Sequence, residues 1–319
     1  MTYDVIVIGG GAAGLSGALA LARSRRRVLV VDDGTPRNAP AAAVHNYLAH
    51  DGTPPAELLA RGRAEVEGYG AEVRDGRVTA VERTGTGFTA TLADGARAHA
   101  RRLLVTTGLV DELPAVEGLA RRWGRDVLHC PYCHGWEVRD QRIGVLATGP
   151  LTVHQAQLFR QLSDRVTVFR HTAGDFTDEE RAGLAARGVE IVEGEVAAVV
   201  VTDDRLTGLR LRDGRVVGVD AVTVGLRAAA RSTVLDGLGL AAEEFVVGGA
   251  SIGTAVPADA RGATAAPGVW VAGNVTDPAA TVPVAAAAGL TAGAQINADL
   301  VAEDVARAVA SRQDLVATP

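Results

Sequence analysis

The sequence predicts an α/β protein with two dinucleotide-binding (Rossmann-like) units, and three observations carry that prediction. A glycine-rich turn, Gly9-Gly10-Gly11-Ala12-Ala13-Gly14, joins a short apolar run to an Ala/Leu-rich one. A second strand–turn–helix–strand pattern spans roughly residues 142–169. Between them stands Cys130-Pro131-Tyr132-Cys133-His134-Gly135-Trp136-Glu137, which holds the only two cysteines.

The bulk numbers fit this outline. With 319 residues and 47% hydrophobic content, the chain can bury a large core, and its length suggests about two domains. Net charge is −6, against nucleic-acid binding, which favours a basic excess. Every basic residue besides histidine is Arg, which reads as genome composition bias. Tyr3 to Ile8 begins a strand at once, with no basic-then-apolar leader, and no apolar segment is long enough for a membrane span. A cytoplasmic location is expected, where a cysteine pair serves redox or metal chemistry more often than a structural disulfide.

In chain order, Asp4 to Ile8 is a continuous apolar run, the mark of a strand buried on both faces. Leu15 to Ala22 reads as helix, and Val28 to Val31 as a second buried strand ending at Asp32-Asp33. This is the spacing of a dinucleotide-binding unit. Gly9 permits the tight turn, Gly11 lets backbone approach a pyrophosphate, and Gly14 lets helix and strand pack closely. The helix N-terminus offers N–H groups and partial positive charge to phosphates, and Asp32 suits an adenosine ribose. Thr53 reads as an N-cap with Pro54 at the first position of a helix running to Gly68. Strands follow around Glu72–Val81, Phe88–Leu92 and Arg102–Thr107, and Asp111-Glu112-Leu113-Pro114 reads as a hinge.

In the second unit, Arg142–Ala147 and Arg165–Phe169 read as strands and Val153–Leu162 as helix. Laid on the first glycine motif, its three positions are Ala147, Gly149 and Thr152, so one glycine survives. Thr152 puts a branched side chain where close packing wants none. Arg170 and His171 follow the second strand, with no acid at its end; Arg170 is a candidate for a 2′-phosphate, or simply a solvated surface charge. NADPH binding here is doubtful, and an inherited scaffold is the competing reading. Gly194–Arg212 and Val216–Gly225 carry strand patterns, and the chain crosses back around Leu226–Thr233. Gly268–Asn274 is a buried strand ending in Gly273-Asn274, and Val284–Leu300 a long helix whose N-terminus suits an electron-rich ring. Residues beyond Arg312 show little pattern.

The cysteine pair admits four readings. Cys-x-x-Cys-His matches c-type haem attachment, but the chain shows no export signal and its only Met is Met1. Zinc wants about four ligands; with His129 and His134 flanking the pair, closure so near in sequence is strained, so no metal site is expected. Inert thiols are the third reading. Redox chemistry is the fourth and best supported, because one thiol of such a pair is commonly acidified and a neighbouring His can carry the proton. His134 is placed for that. His129 reads as structural, and Glu137 reads equally well as orienting His134 or facing solvent.

These residues together resemble the low-molecular-weight thioredoxin reductase family across nearly the whole chain. The glycine turn, Thr107-Gly108, the Cys-x-x-Cys and Gly273-Asn274 fall in that family's order. The resemblance implies FAD in a discontinuous domain of residues 1–112 and 229–319. It also implies an inserted nicotinamide-domain-like unit, residues 113–228, carrying the cysteines, and a homodimer. Two departures matter: His134 stands where those reductases put an Asp, and the second glycine motif is degraded. Both are similar to the dithiol oxidases that close the disulfides of gliotoxin, holomycin and romidepsin, with the holomycin type the best match. The resemblance places Gly11, Ala12 and Ala13 at the pyrophosphate, Asp32 and Arg37 at the adenosine half and Val78 near the adenine. His45 and Asn46 fall near the flavin ring, and Thr107 and Gly108 close over the cofactor. Asn274 lies at the ribityl chain, and Thr281 and Val282 at the pyrimidine edge. Cys133 would sit against the flavin, Cys130 would face a small-molecule dithiol, and molecular oxygen would reoxidise the flavin, giving hydrogen peroxide. The rival is an NADPH-dependent reductase of thioredoxin-type disulfides; a third possibility is a non-catalytic redox-sensing flavoprotein.

Overall fold

The computed structural model describes residues 2–85 and 87–317, with side chains through residue 313. The first sheet has seven strands. Thr2–Ile8 is flanked by Val28–Asp32 and Arg97–Val105, with Glu72–Asp75 beyond Val28–Asp32, all in parallel. Arg97–Val105 is long enough to serve two neighbours on its other edge. Its first half pairs antiparallel with Gly87–Leu92, which continues to Val78–Thr84. Its second half pairs in parallel with Val269–Val271. The late return of the chain to the first sheet is therefore direct backbone pairing.

Strand alternation sorts the core onto two faces. Val5, Val7, Val28, Val30 and Leu104 point to one face, with helix Ala12–Arg23 and Ala292, Ile296 and Leu300 of the last helix. Ile6, Ile8, Leu29, Val31, Leu103 and Val105 point to the other, against Phe88, Val234 and Leu235. Each such side chain, fully buried, contributes about 1.5–3 kcal/mol. The last helix, Val282–Ala317, crosses the first helix through small residues. A Cβ on Gly289 would stand 1.9 Å from the Ala13 carbonyl oxygen, and one on Gly293 2.6 Å from that of Gly17. Only glycine lets the last helix come this near the glycine turn.

The second sheet is five-stranded and parallel, in the order Glu190–Val192, Val166–Phe169, Ile143–Leu146, Ala221–Val224, Val127–Leu128. Helices Thr152–Phe159 and Asp178–Ala186 cover one face. Residues of the antiparallel strands Val196–Thr202 and Arg205–Leu211 cover the other.

Three expectations need correcting. Thr53 does not cap the helix before Gly68: Pro54 holds the cap position, extended at ψ 138°, and Pro55 opens the helix. A residue before proline is pushed out of the helical region, so Pro54 cannot itself be helical. The segment read as a hinge begins in strand: Asp111 and Glu112 end Leu109–Glu112, which pairs antiparallel with the returning Arg227–Ala230, and only Leu113 and Pro114 lie outside it. The last helix starts at Val282, not Val284, because Pro283 needs no partner in a first turn. It also runs past Arg312, to Ala317.

Candidate active site

One cavity of about 1640 Å³ takes in both units. It is lined by Gly9, Gly11, Ala12, Ala13, Asp32, Arg37, His45, Val78, Thr107 and Gly108. Gly273, Asn274, Thr281, Val282 and the Cys130–His134 segment complete that list of predicted residues. Gly14 and Asn46 are not among the lining residues. The volume exceeds the ~300–1,000 Å³ typical of a single ligand site, leaving space for a dinucleotide and a small substrate together.

The glycine turn fits a pyrophosphate. A Cβ on Gly11 would meet open space, whereas one on Gly14 would stand 1.9 Å from the Gly9 carbonyl oxygen. The first intrahelical bond runs from Leu15 N–H to Gly11 C=O at 2.9 Å, and Gly11 provides no side-chain cap. The N–H groups of Ala12, Ala13 and Gly14 precede that bond and are free to meet anionic oxygens. Thr106, which no motif or spacing singles out, ties the turn down: its hydroxyl donates to Gly9 C=O at 2.8 Å. Asp32 accepts from Gly10 N–H at 2.9 Å through Oδ1, while Oδ2 pairs with Arg63 at 2.5 Å. Arg63 lies in the helix ahead of Glu72, and nothing in the sequence pattern marks it.

Other predicted residues have partners within the fold. Arg37 forks onto Asp111, 2.6 Å at the shortest contact, and also reaches Pro278 C=O. Thr107 Oγ1 donates to Arg231 C=O at 2.6 Å, fastening Thr107-Gly108 to the returning crossover. Asn274 donates from Nδ2 to Asp277 C=O at 3.0 Å and Ala280 C=O at 2.9 Å. An Asp could not make those bonds; the amide ties the loop before the last helix and leaves Oδ1 as an acceptor. Ala285 N–H bonds to Thr281 C=O at 2.8 Å, so the Val282 N–H precedes the first bonded turn.

Cys130 and Cys133 form a disulfide. Cys130 caps the single helical turn Pro131–His134, and its Sγ accepts from Cys133 N–H at 3.1 Å. Pro131 sits where a missing N–H costs nothing. Tyr132, between the two cysteines, and Trp136, three residues beyond them, are exposed. His129 is held by a 2.9 Å bond from Nδ1 to Val224 C=O, and burial lowers its pKa from the ordinary imidazole value. Burial likewise lowers the pKa of His134, while the nearby Glu137 carboxylate works in the opposite direction. His134 Nε2 is enclosed and has no partner among the described residues. Glu137, which sequence left between two readings, meets a third group: its Oε1 lies 3.3 Å from His45 Nε2. Asn46, at φ +57°, donates from Nδ2 to Tyr132 C=O at 2.5 Å. The His45–Asn46 loop therefore grips the cysteine turn directly.

In the second unit Thr152 is buried, and its hydroxyl bonds Gly149 C=O at 2.7 Å. Arg170 is paired with Glu193 at 2.5 Å and Asp175 at 3.2 Å, so its charge is already matched rather than free for a phosphate.

This is the architecture of a two-unit flavin-type disulfide oxidoreductase, with the Cys130–Cys133 disulfide carried on the second unit. The chain belongs to the family described as pyridine nucleotide-disulphide oxidoreductase, which matches residues 3–289. It has the low-molecular-weight thioredoxin reductase fold and is an oxidoreductase of a flavin-binding family. The crystal structure of HlmI superposes with a TM-score of 0.92 at 47% identity, covering 99% of this chain and 98% of that one. Thioredoxin reductase tcpT of Claviceps purpurea is 32% identical over 251 residues, 74% of this chain and 77% of that protein. Thioredoxin reductase sirT of Leptosphaeria maculans is 28% identical over 95% of this chain and 96% of its own length. The match to a probable thioredoxin reductase of Arthroderma benhamiae spans only 38% of that protein, at 38% identity over 47% of this chain. No helix among the described residues is long and apolar enough to cross a membrane.

Proposed function

We propose that this protein oxidises a small-molecule dithiol to an intramolecular disulfide through Cys130 and Cys133, using FAD and molecular oxygen, within the biosynthesis of a disulfide natural product. The observation that carries this reading is a contrast inside one cavity. The first turn keeps its glycines and is open to a ligand, while in the second Thr152 replaces the packing glycine and bonds its own turn's carbonyl, and Arg170 is already matched by carboxylates. Electrons then have a better-formed entry at the disulfide than at a nicotinamide site. The likeness to HlmI and to tcpT supports the pathway assignment, and a holomycin-type dithiol is the model substrate.

Ala12 and Ala13 N–H would hold the FAD pyrophosphate, Asp32 the adenosine ribose, and Thr281 and Val282 the ring edge. The bound flavin supplies a two-electron acceptor for the reduced cysteine pair, with oxygen as terminal acceptor and peroxide as product. His134 takes the proton of the first substrate thiol. The thiolate attacks Cys130 Sγ, displacing the Cys133 thiolate and forming a mixed disulfide. The second substrate thiol attacks the substrate sulfur, its proton passing to the departing Cys130 sulfur, and the cyclic disulfide is released. A homodimer, with pocket walls from the loop of residues 38–49 and from a second copy, completes the proposal.

Anaerobic mixing tests it. A small dithiol alone should bleach the yellow flavin band, and air should restore it with peroxide release. Rapid saturable bleaching by NADPH, with no response to the dithiol, would instead make the enzyme a reductase.

A further inference from the structure

One segment of the first unit, residues 36–53, makes contacts to the second unit that the reaction just described does not use. Its base is closed by backbone bonds, Val44 N–H to Thr53 C=O at 2.8 Å and Gly52 N–H to Val44 C=O at 2.9 Å. Near its start, Arg37 forks onto Asp111 of the connecting strand Leu109–Glu112. Pro40 then packs on Gly124: a Cβ on Gly124, left-handed at φ +78°, would stand 2.6 Å from the Pro40 Cβ. At the tip, His45 Nε2 lies 3.3 Å from Glu137 Oε1, and Asn46 Nδ2 donates to Tyr132 C=O at 2.5 Å. The segment is a strap from one unit to the other, and its last hold is on the cysteine turn itself.

The Asn46 bond is the one tied to the chemistry. Pro131–His134 is a single helical turn, bonded by His134 N–H to Cys130 C=O at 3.2 Å and Gly135 N–H to Pro131 C=O at 2.9 Å. The last carbonyls of so short a helix need donors from outside it. Tyr132, between the two cysteines, takes its donor from Asn46. Asn46 is itself fixed: at φ +57°, which Asn adopts more readily than most residues, its N–H donates to Asp51 Oδ1 at 2.8 Å. Asn46 is exposed and stands outside the lining of the cavity that the cysteine turn shares with the first glycine turn. It therefore acts on the cysteines through their backbone.

We propose that Asn46 is a positioning residue whose bond to Tyr132 C=O holds the Cys130–Cys133 turn of the second unit at the flavin site of the first. The proposal rests on the dithiol-oxidation reading and concerns the step in which the reduced pair passes its electrons on. In that step the Cys130–Cys133 bond re-forms, two electrons go to the flavin, and the two protons taken from the dithiol go one to the flavin and one to solvent. Thiol exchange at the disulfide needs only access of the dithiol. Electron transfer needs the pair and the flavin in register, and a misplacement of about 1 Å can cost ~100-fold. Loosening the strap should therefore separate the two steps. The partly exposed His45–Glu137 pair adds a weaker hold.

The test mixes the FAD-loaded enzyme anaerobically with dithiothreitol. Mass spectrometry of acid-quenched, alkylated chains counts free cysteines while flavin bleaching is followed in parallel. In wild type, bleaching should accompany the first reduction of the disulfide. Asn46→Gly keeps the left-handed backbone and loses only the donor. Its disulfide should be reduced at the wild-type rate, with bleaching slowed about tenfold, so that reduced cysteines accumulate before the flavin responds. Asn46→Asp, similar in shape but without the donor, should lag as well, and Glu137→Gln should lag less. Without any dithiol, hydrogen exchange in Asn46→Gly should quicken across residues 130–137 and stay unchanged in residues 9–14, with flavin content as in wild type. Bleaching of Asn46→Gly that superimposes on wild type overturns this inference alone. Loss of flavin from Asn46→Gly also overturns it, making Asn46 a cofactor ligand, and so does disulfide reduction slowed as much as bleaching. A wild type that dithiothreitol does not bleach overturns the dithiol reading and this inference with it.

Discussion

The two nucleotide-type units share a strand–turn–helix–strand plan and differ in what fills the turn. In the first, Gly14 brings helix and strand into contact, and the helix N-terminus keeps N–H groups that no protein atom takes. In the second, Thr152 occupies the matching position and bonds the turn's own carbonyl. Gln155 goes further, donating to His129 C=O at 2.8 Å and Thr223 Oγ1 at 2.6 Å. Thr152 and Gln155 thus tie the second turn and its helix to the neighbouring strands. The same plan thus offers an open glycine turn in one place and carries a disulfide in the other.

The largest effect should come from the disulfide. Cys130→Ser or Cys133→Ser should abolish dithiol turnover while flavin content stays normal. Turnover assays beside an absorption spectrum check this, and persistent turnover would detach the second unit from the chemistry. Next is Gly14→Ala, which drives a Cβ into the Gly9 carbonyl. It should cost about 3 kcal/mol by overpacking and weaken flavin retention. Chemical denaturation and the flavin-to-protein ratio measure both. Thr152→Gly makes the reciprocal change. It should cost only about 1 kcal/mol of helix propensity and leave NADPH affinity undetectable by titration, since Arg170 stays paired with Glu193. Tight NADPH binding by Thr152→Gly would mean that a single side chain separates the two units.

The sequence made the plan of both units readable because buried parallel strands are apolar runs and glycine turns are local signals. Strand ends at Asp32 and Gly273-Asn274 were legible for the same reason. What it hid was set by contacts distant in the chain. Arg63 meets Asp32 across 31 residues, Arg37 meets Asp111 across 74, and Asn46 meets Tyr132 across 86. No period or spacing encodes such pairs. The readings of Glu137 were incomplete for this reason: it is exposed, as one of them expected, but both looked along its own segment, and its partner His45 arrives from another one. The helix start at Thr53 missed for a local reason, two consecutive prolines of which either could open the helix.

The smallest effect concerns how the second unit keeps its turn closed, and it turns on pH. His129 is half-buried and donates from Nδ1 to Val224 C=O while its own carbonyl receives Gln155. Burial lowers its folded-state pKa below about 6.5, the value expected of the unfolded chain. Below that value the unfolded chain binds a proton that the folded one resists. The stability His129 contributes is therefore complete above about pH 6.5 and is lost as pH falls through 6.5 toward the folded value. His134 and His171, also lowered by burial, act with the same sign. Wild type should hold a constant denaturation midpoint above neutrality and lose stability between pH 6.5 and 5. His129→Gln, which can still donate to Val224 C=O but cannot titrate, should show a shallower fall over that window. Equal slopes would mean that protonation of His129 does not control the closed turn. In that case the self-satisfied bonding that separates the second unit from the first would rest on Gln155 and Thr152 alone.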